Sequence, residues 1–295
     1  MNVSEGDEAS QLAAPYLVTV ITVHCADNLP WLTTLPEAAF DLIYIDPPFN
    51  TGHTQRRTAL RTQRATGRTG DRTGFGGKRY ATSTIGSLAF PDRFDDYLSF
   101  LAPRLAEARR VLAPEGSLFV HLDAREVHYV KVHLDALFGR SSFLNEIIWA
   151  YDYGARSTKR WASKHDSILW YAKDPRSYTF RQAESDRLPY LAPGLVTAEK
   201  RARGKVPTDT WWHTIVSPTG KEKTGYPTQK PIAILERIVK VHSAPGDRLL
   251  DFFAGSGSFG EAADRHGRDV TLVDCNAAAI RVMKKRFANR QVTWK

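Results

Sequence analysis

"DRLLDFFAGSGSFGEAADRHGRDVTLVD", residues 247–274, carries an apolar run, a turn of small residues, a helix-length segment and a second apolar run closing on an acid. Glycines fall at 255, 257 and 260, the spacing G-x-G-x-x-G. A glycine turn between a strand and a helix is the βαβ context of a nucleotide site: glycine lets the backbone approach a ligand, and an acid ending the next strand can accept hydrogen bonds from ribose hydroxyls. Asp274 holds that place. Two ligands suit the unit. A nicotinamide dinucleotide fingerprint usually opens a domain with several further βα units, but only about 35 residues follow Gly260, so earlier strands must complete the sheet. S-adenosylmethionine offers a ribose and a zwitterionic amino acid with no pyrophosphate. Asp251 and the small residues Ala254, Gly255, Ser256, Gly257 and Ser258 suit it, because a carboxylate can pair with the ligand ammonium.

Outward from this unit, strand-like and helix-like runs alternate. "LVTVITV" (17–23), "DLIYI" (41–45), "SLFVHLD" (117–123), "EIIWAYD" (146–152) and "DSILWYAK" (166–173) read as strands. Helical spacing of apolar residues covers 97–112, 126–139, 228–243 (with Pro231 in the first turn) and 276–288. The alternation predicts an α/β fold, Rossmann-like, with a mostly parallel sheet. Two stretches break the rhythm. Residues 51–85 are rich in Thr, Arg and Gly, which predicts a mobile loop. Residues 174–225 are polar and carry Pro175, Pro189, Pro193, Pro207 and Pro218, which predicts a small irregular insert.

With 295 residues and a hydrophobic fraction of 42%, the chain can build a real core. No apolar run is long enough to span a bilayer, and the first twenty residues hold no Lys or Arg, unlike a signal peptide. Two cysteines, Cys25 and Cys275, cannot make a four-ligand zinc site; no metal is expected, and both thiols are expected buried and reduced in a cytoplasmic protein. The net charge is +9, and it is clustered. Residues 1–50 have no Lys or Arg, whereas 53–85 carry Arg56, Arg57, Arg61, Arg64, Arg68, Arg72, Lys78 and Arg79 against Asp71 alone. Such clustering suits a polyanion, through phosphate neutralisation and counterion release; a solvated basic face is the alternative.

The strand "DLIYI" stops at Asp46, Pro47, Pro48 and Phe49. Proline has no N–H and a fixed φ, so the sheet cannot continue, and the acid and ring are held on stiff backbone. The stretch is a rigid turn or a platform for something flat.

"DPPF" (46–49), "YPTQKP" (226–231) and "DFFAGSG" (251–257), in that order and with an irregular segment between the first two, resemble the permuted beta class of amino-group DNA methyltransferases, in which the catalytic half precedes the cofactor half. "ADNL" (26–29) looks like that family's acidic turn against the cofactor adenine, and "KHDSILWYAK" (164–173) like the strand before its recognition region. The resemblance spans roughly residues 20 to 290. It implies S-adenosylmethionine as cofactor, with Asp27, Lys230, Asp251, Phe253, Ala254, Gly255, Ser256, Gly257 and Asp274 toward it, and double-stranded DNA as partner; the arginine-rich loop is more extreme than the family's pattern, and it is the clustered charge that assigns Arg56, Arg57, Arg61, Arg64 and Arg68 to gripping DNA without sequence preference. It divides the chain into 1–173 (catalytic half, with the basic loop 51–85), 174–225 (target recognition) and 226–295 (cofactor half). A cognate restriction endonuclease and a homodimer are compatible with it.

The resemblance also gives the proline turn a task. A base amine cannot be reached inside a duplex, so the base is flipped out at a cost of about a few kcal/mol. Phe49 would stack on it, while the Asp46 carboxylate and the Pro47 carbonyl accept from the two amine protons. "DPP" favours adenine N6, with cytosine N4 as the alternative. A nicotinamide oxidoreductase, or a DNA-binding protein without catalysis, would make no use of this turn. His121, His128, His133 and His165 are read as packing or surface residues, and Trp211–Trp212 as buried aromatics of the insert.

Overall fold

The computed structural model describes residues 19–52, 55–64, 72–73, 79–90, 92–154, 156–217 and 220–295. In chain order the elements are β1 (Ile21–His24), α1 (Asn28–Thr33), β2 (Phe40–Ile45), β3 (Gln55–Arg64), β4 (Arg72–Thr73), β5 (Arg79–Phe90), α2 (Tyr97–Val111), β6 (Leu112–Leu122), α3 (Val127–Phe138), β7 (Phe143–Ala150), β8 (His165–Ala172), α4 (Ala198–Arg203), β9 (Thr210–Trp212), α5 (Ile232–His242), β10 (Arg248–Asp251), α6 (Ser258–Arg265), β11 (Asp269–Val273), α7 (Ala277–Arg286) and β12 (Val292–Trp294).

Nine strands form one sheet in the order β12-β1-β11-β10-β2-β6-β8-β7-β9. It is parallel from β12 to β6; β8 runs antiparallel to its neighbours β6 and β7, and β9 lies parallel to β7. Both faces are covered, as a parallel sheet requires. Along β2, Leu42 and Tyr44 enter one core with Phe259, Ala262, Val282 and Met283 of α6 and α7 and Ile234, Leu235 and Ile238 of α5. Ile43 and Ile45 enter the other, with Leu101, Leu105 and Ala108 of α2 and Val127, Val130 and Leu134 of α3. The period-2 alternation of one apolar strand thus builds a three-layer α/β/α sandwich.

The topology decides where a site can form. β2 and β10 are hydrogen-bonded neighbours, Leu42 beside Leu249 and Ile43 beside Leu250. From β2 the chain passes through α2 to β6 on one side; from β10 it passes through α6 to β11 on the other. The two connections diverge and leave a crevice at the carboxyl ends of β2 and β10, where open α/β sheets bind ligands.

Several expectations change. Residues 51–85, expected as a mobile loop, include most of a second sheet: β3 pairs antiparallel with β5 from Gln55–Phe90 to Arg64–Tyr80, and β4 adds to β5. Antiparallel pairing satisfies backbone polar groups without an apolar face, and Thr, Tyr and Ile favour extended backbone, so sparse apolar content did not preclude strands. The segment 174–225 is largely irregular, but β9 joins the main sheet and Asp186 binds Arg237 (2.9 Å) and Lys240 (2.5 Å) of α5. Trp211 is buried there under the Arg237 guanidinium, whereas Trp212, expected buried, is exposed. Helix α5 starts at Ile232, with Pro231 as its N-cap, four residues later than the sequence pattern suggests. Both cysteines are free, as expected, but exposed, because each lies just beyond a strand end and not within it. Among the described residues no helix is long and apolar enough to cross a membrane.

Candidate active site

A cavity of about 570 Å³ opens at the ends of β2 and β10. Residues 46–49 and 251–256, with Asp27, Lys230 and Asp274, all line it, so most of the motif residues expected of a site are gathered in one space although the sequence separates them by up to 200 positions and more. Gly257 is not among the lining residues. Arg56, Arg57, Arg61 and Arg64 fall on β3; Arg68 falls outside the described residues.

The proline turn is fixed from below. After Phe49, Asn50 takes a left-handed conformation (φ 53°), one that Asn tolerates better than most residues. Its N–H donates to Asp92 Oδ1 (2.7 Å), its Nδ2 donates to Glu126 Oε1 (2.8 Å), and its Oδ1 accepts from the Phe94 N–H (2.9 Å). Thr51 donates to Asp92 Oδ2 (2.6 Å) and the Gly52 N–H to the Asp92 carbonyl (3.0 Å). The strands of the small sheet therefore leave the body at the mouth of the cavity, latched to the turn. Asn50 and Asp92 were not singled out in the sequence; "DPPFN" held the only hint.

The ammonium of Lys230, a residue expected toward the cofactor, lines the cavity and meets the proline turn. It donates to Asp46 Oδ1 (2.6 Å) and Oδ2 (2.7 Å) and lies 4.5 Å from the centroid of the Phe49 ring. The side chains are 8% and 18% exposed, so this is a largely buried pair. Lys230, just before the Pro231 cap of α5, thereby clamps the carboxylate that follows β2.

On the other side, the Asp251 carboxylate is buried, 3% exposed for the residue, and Oδ1 accepts from the Phe253 N–H (3.0 Å). Burial lifts its pKa well above the ordinary carboxylate range; the charges of Asp46 and Asp274 push the same way, and the Phe253 N–H and Lys230 oppose them. No cation pairs with it among the described residues. Asp274 accepts from the N–H groups of Gly255 (2.8 Å) and Asn276 (2.8 Å), so it braces the glycine turn; burial raises its pKa against those two bonds. Asn276, not Asp274, caps α7 by accepting from the Ala278 N–H (2.8 Å). Ser256 lends its carbonyl to Arg286 Nε (2.7 Å). Gly255 and Gly257 both have positive φ, 51° and 73°. A Cβ at Gly257 would stand 2.9 Å from Met283 Cγ and 3.1 Å from Phe287 Cε2, so the absence of a side chain here lets the turn pack closely against α7 and the residue that follows it. A Cβ at Gly255 would meet the Tyr226 ring, which lines the cavity, at 3.2 Å.

Asp27 caps α1 through the Leu29 N–H (3.0 Å) and pairs with Arg104 Nη2 (3.2 Å). Arg104 also donates to Asn28 Oδ1 (2.6 Å), whose Nδ2 donates to the Phe252 carbonyl (2.7 Å). One buried arginine of α2 thus ties the acidic turn to the end of β10. His121, read as packing, is buried within a polar chain. Its Nδ1 meets Tyr44 Oη at 2.8 Å, its Nε2 meets Asp166 Oδ2 at 3.2 Å, and its ring tilts 6.0 Å from Phe49. Burial would raise the Asp166 pKa, but hydrogen bonding and charge from His121, with Lys230 and Tyr151, hold it below the usual value.

The arrangement offers a buried, unpaired carboxylate for a ligand ammonium at one end and, at the other, an acceptor carboxylate beside an aromatic ring. Comparison with known proteins agrees. The model of the DNA methylase family matches residues 40–285. The Type II methyltransferase M.HpaI of Haemophilus parainfluenzae is 29% identical over 89% of this chain and 73% of its own length. The DNA adenine methyltransferase YhdJ of Escherichia coli (strain K12) is 28% identical over 90% and 82%. Among solved structures, the M1.HpyAVI–SAM complex has a TM-score of 0.58 at 20% identity, covering 90% of this chain and 98% of that one. The PvuII cytosine-N4-specific DNA methyltransferase has a TM-score of 0.59 at 15% identity, covering 94% and 96%. At these identities the structural likeness speaks for the fold.

Proposed function

We infer the reaction from one premise: the chain belongs to the DNA methylase family. It is an S-adenosylmethionine-dependent DNA methyltransferase, and the reading that fits its residues best is methylation of the N6 amine of an adenine flipped out of double-stranded DNA at a specific site. The observation that supports this most directly is the meeting of Asp46 and Phe49 with Asp251 in one cavity at the ends of two adjacent strands. Bound S-adenosylmethionine supplies an electrophilic sulfonium methyl group. Asp251 receives the ligand ammonium, which relieves its buried, unpaired state. Asp274 and Asp27 lie where ribose and adenine polar groups can be met, and Phe253 and Phe100, 6.0 Å apart, give that end an aromatic wall.

The target amine is too weakly basic for pKa tuning to matter, so orientation carries the catalysis. The Asp46 carboxylate accepts one amine proton and the Pro47 carbonyl the other, which localises the nitrogen lone pair. Each Asp46 oxygen has a second lone pair beside the one Lys230 uses, so the amine can bind without expelling the ammonium. Phe49 stacks on the extruded ring, returning about 1–3 kcal/mol. The segment 174–225 reads the site, and the β3–β5 sheet grips the backbone, in a cytoplasmic protein acting on DNA.

Incubation with duplex DNA and isotopically methyl-labelled S-adenosylmethionine, followed by digestion to nucleosides and mass spectrometry, tests the reading. N6-methyladenine is expected. N4-methylcytosine would move the assignment to the cytosine branch, and absence of label in DNA would sink it.

A further inference from the structure

We propose that the connection between β7 and β8, with the end of β9, forms an aromatic and basic rim that stacks on DNA bases that have lost their partners, with Trp161 at its tip. The proposal rests on the methylation reading above, because base extrusion is what exposes such bases.

Register places the rim. β6 runs parallel to β2, with Val120 beside Ile45. β8 runs back, with Ser167 beside Leu122. Ala150, the last residue of β7, lies beside His165 and beside Trp212 of β9. Residues 151–154, 156–164 and Trp212 therefore leave the sheet at the edge where β2 delivers Asp46. At about 4.8 Å per strand, β7 and β9 stand roughly 14 and 19 Å from β2, so the rim meets unpaired bases where the opening begun at the target runs on by about four to six base pairs at ~3.4 Å each.

The connection is built. The Tyr151 N–H donates to the Lys164 carbonyl (2.9 Å), Lys164 Nζ donates to the Tyr153 carbonyl (2.5 Å), and Ser157 Oγ accepts from the N–H groups of Lys159 (3.2 Å) and Arg160 (3.3 Å). This turn presents Trp161 at 97% exposure, and Tyr153 and Trp212 on the same edge are 53% and 76% exposed. Tryptophan is the side chain with most to gain from burial, and a concentration of exposed rings marks an interaction surface. The charge identifies the partner. Arg156, Lys159, Arg160 and Lys164 accompany these rings, and the single acid of 151–164, Asp152, pairs with Arg156 at 3.4 Å. Cationic side chains interleaved with open aromatic faces suit unpaired bases on a phosphate backbone, and stacking accepts any base.

Fluorescence anisotropy on the full chain can test this with two random-sequence 30-mer probes, an intact duplex and the same duplex with a central four-nucleotide mismatched bubble. Wild type is expected to bind the bubble about ten- to a hundredfold more tightly, the range given by loss of one or two stacked bases. Trp161→Ala combined with Trp212→Ala should remove most of that preference, and Trp161→Phe should keep it. Lys159→Ala with Arg160→Ala should weaken both probes alike. A wild type without bubble preference, or aromatic variants that retain it, would overturn the rim. Methyl transfer to genomic DNA, measured in parallel, separates the two readings: activity without bubble preference ends the rim alone, whereas no activity removes the reading beneath it.

Discussion

The contact between Lys230 and Asp46 sets the demands on the proline turn. Because the pair is largely buried, removing one partner strands the other in low dielectric, which costs more than the pair itself is worth. Asp46→Asn preserves an acceptor for the target amine but leaves the ammonium unpaired; Lys230→Met does the reverse. A denaturant-unfolding cycle over Asp46→Asn, Lys230→Met and the double variant should give a coupling of about 1–3 kcal/mol, with the double variant more stable than the sum of the single losses implies. In single-turnover assays Asp46→Asn should keep measurable methylation while Asp46→Ala should not, since only the alanine leaves an amine proton without an acceptor. Equal loss in both would show that the negative charge itself is required. Asp251 makes a second demand. Its folded pKa is raised, so it is protonated in the free protein at pH values where an ordinary carboxylate is ionised. An incoming ammonium favours the ionised form, so binding releases a proton throughout that window. Affinity for S-adenosylmethionine should therefore rise with pH from ~pH 4 upward and level off once Asp251 ionises unaided. Calorimetry across pH would show this, and Asp251→Asn should bind more weakly with the slope lost.

Among the elements, those with a continuous or periodic apolar face were legible in the sequence, and the rest were not. β2, β6, β8 and β10 are buried over most of their length and each carries a short apolar run, such as Leu42–Ile45, Leu118–Val120, Ile168–Ala172 and Leu249–Leu250, and β11 alternates buried with half-buried residues. α1 and β9 are short, and β3 and β5 pair without an apolar stripe, so neither period marks them. The motifs named most of the residues that line the cavity, but not the lining residues Asp92 and Arg104 or the supporting Asn50 and His121, whose hydrogen bonds reach partners between 42 and 77 positions away. Nor did the spacing reveal which way a glycine serves. Gly257→Val should lower Tm even without cofactor, through overpacking against Met283 and Phe287 of about 1–3 kcal/mol and a left-handed backbone penalty of about 1–2 kcal/mol. Unchanged melting with lost cofactor affinity would favour the ligand-approach explanation. The basic sheet should act through phosphates. Arg61→Ala with Arg64→Ala should weaken specific and random duplexes alike and reduce the salt slope by up to about 0.9 per lost contact. A loss confined to specific DNA would instead mean that β3 reads bases.

Across the whole molecule, the motif order along the chain suggests two halves that the sheet does not respect. β10 and β11, from the segment 226–295, sit between β1 and β2, from the segment before residue 174. β1 thus lies between β12 and β11 and meets β2 only by way of β11 and β10, while β2 and β10 together form the floor of the cavity. The interleaving has a functional logic. A methyl donor held by one segment and an acceptor held by another react only if their relative position is fixed to a fraction of an ångström, and hydrogen-bonded adjacent strands fix it better than a hinge between domains. It also has a thermodynamic consequence. The fragment 226–295 carries two strands whose outer neighbours are absent, and α5 would lose the Asp186 contacts and its cover over the Phe119 side of the core. Expressed alone, this fragment should lack a cooperative melt by circular dichroism and should not bind S-adenosylmethionine. The intact chain should unfold with coincident transitions by far-ultraviolet circular dichroism and by tryptophan fluorescence, whose buried reporters Trp149, Trp170 and Trp211 lie at the far end of the sheet from β11. Two separated transitions, or a fragment that folds by itself, would mean that the cofactor half is an autonomous domain after all, and that strand adjacency is a docking contact and not the framework of the site.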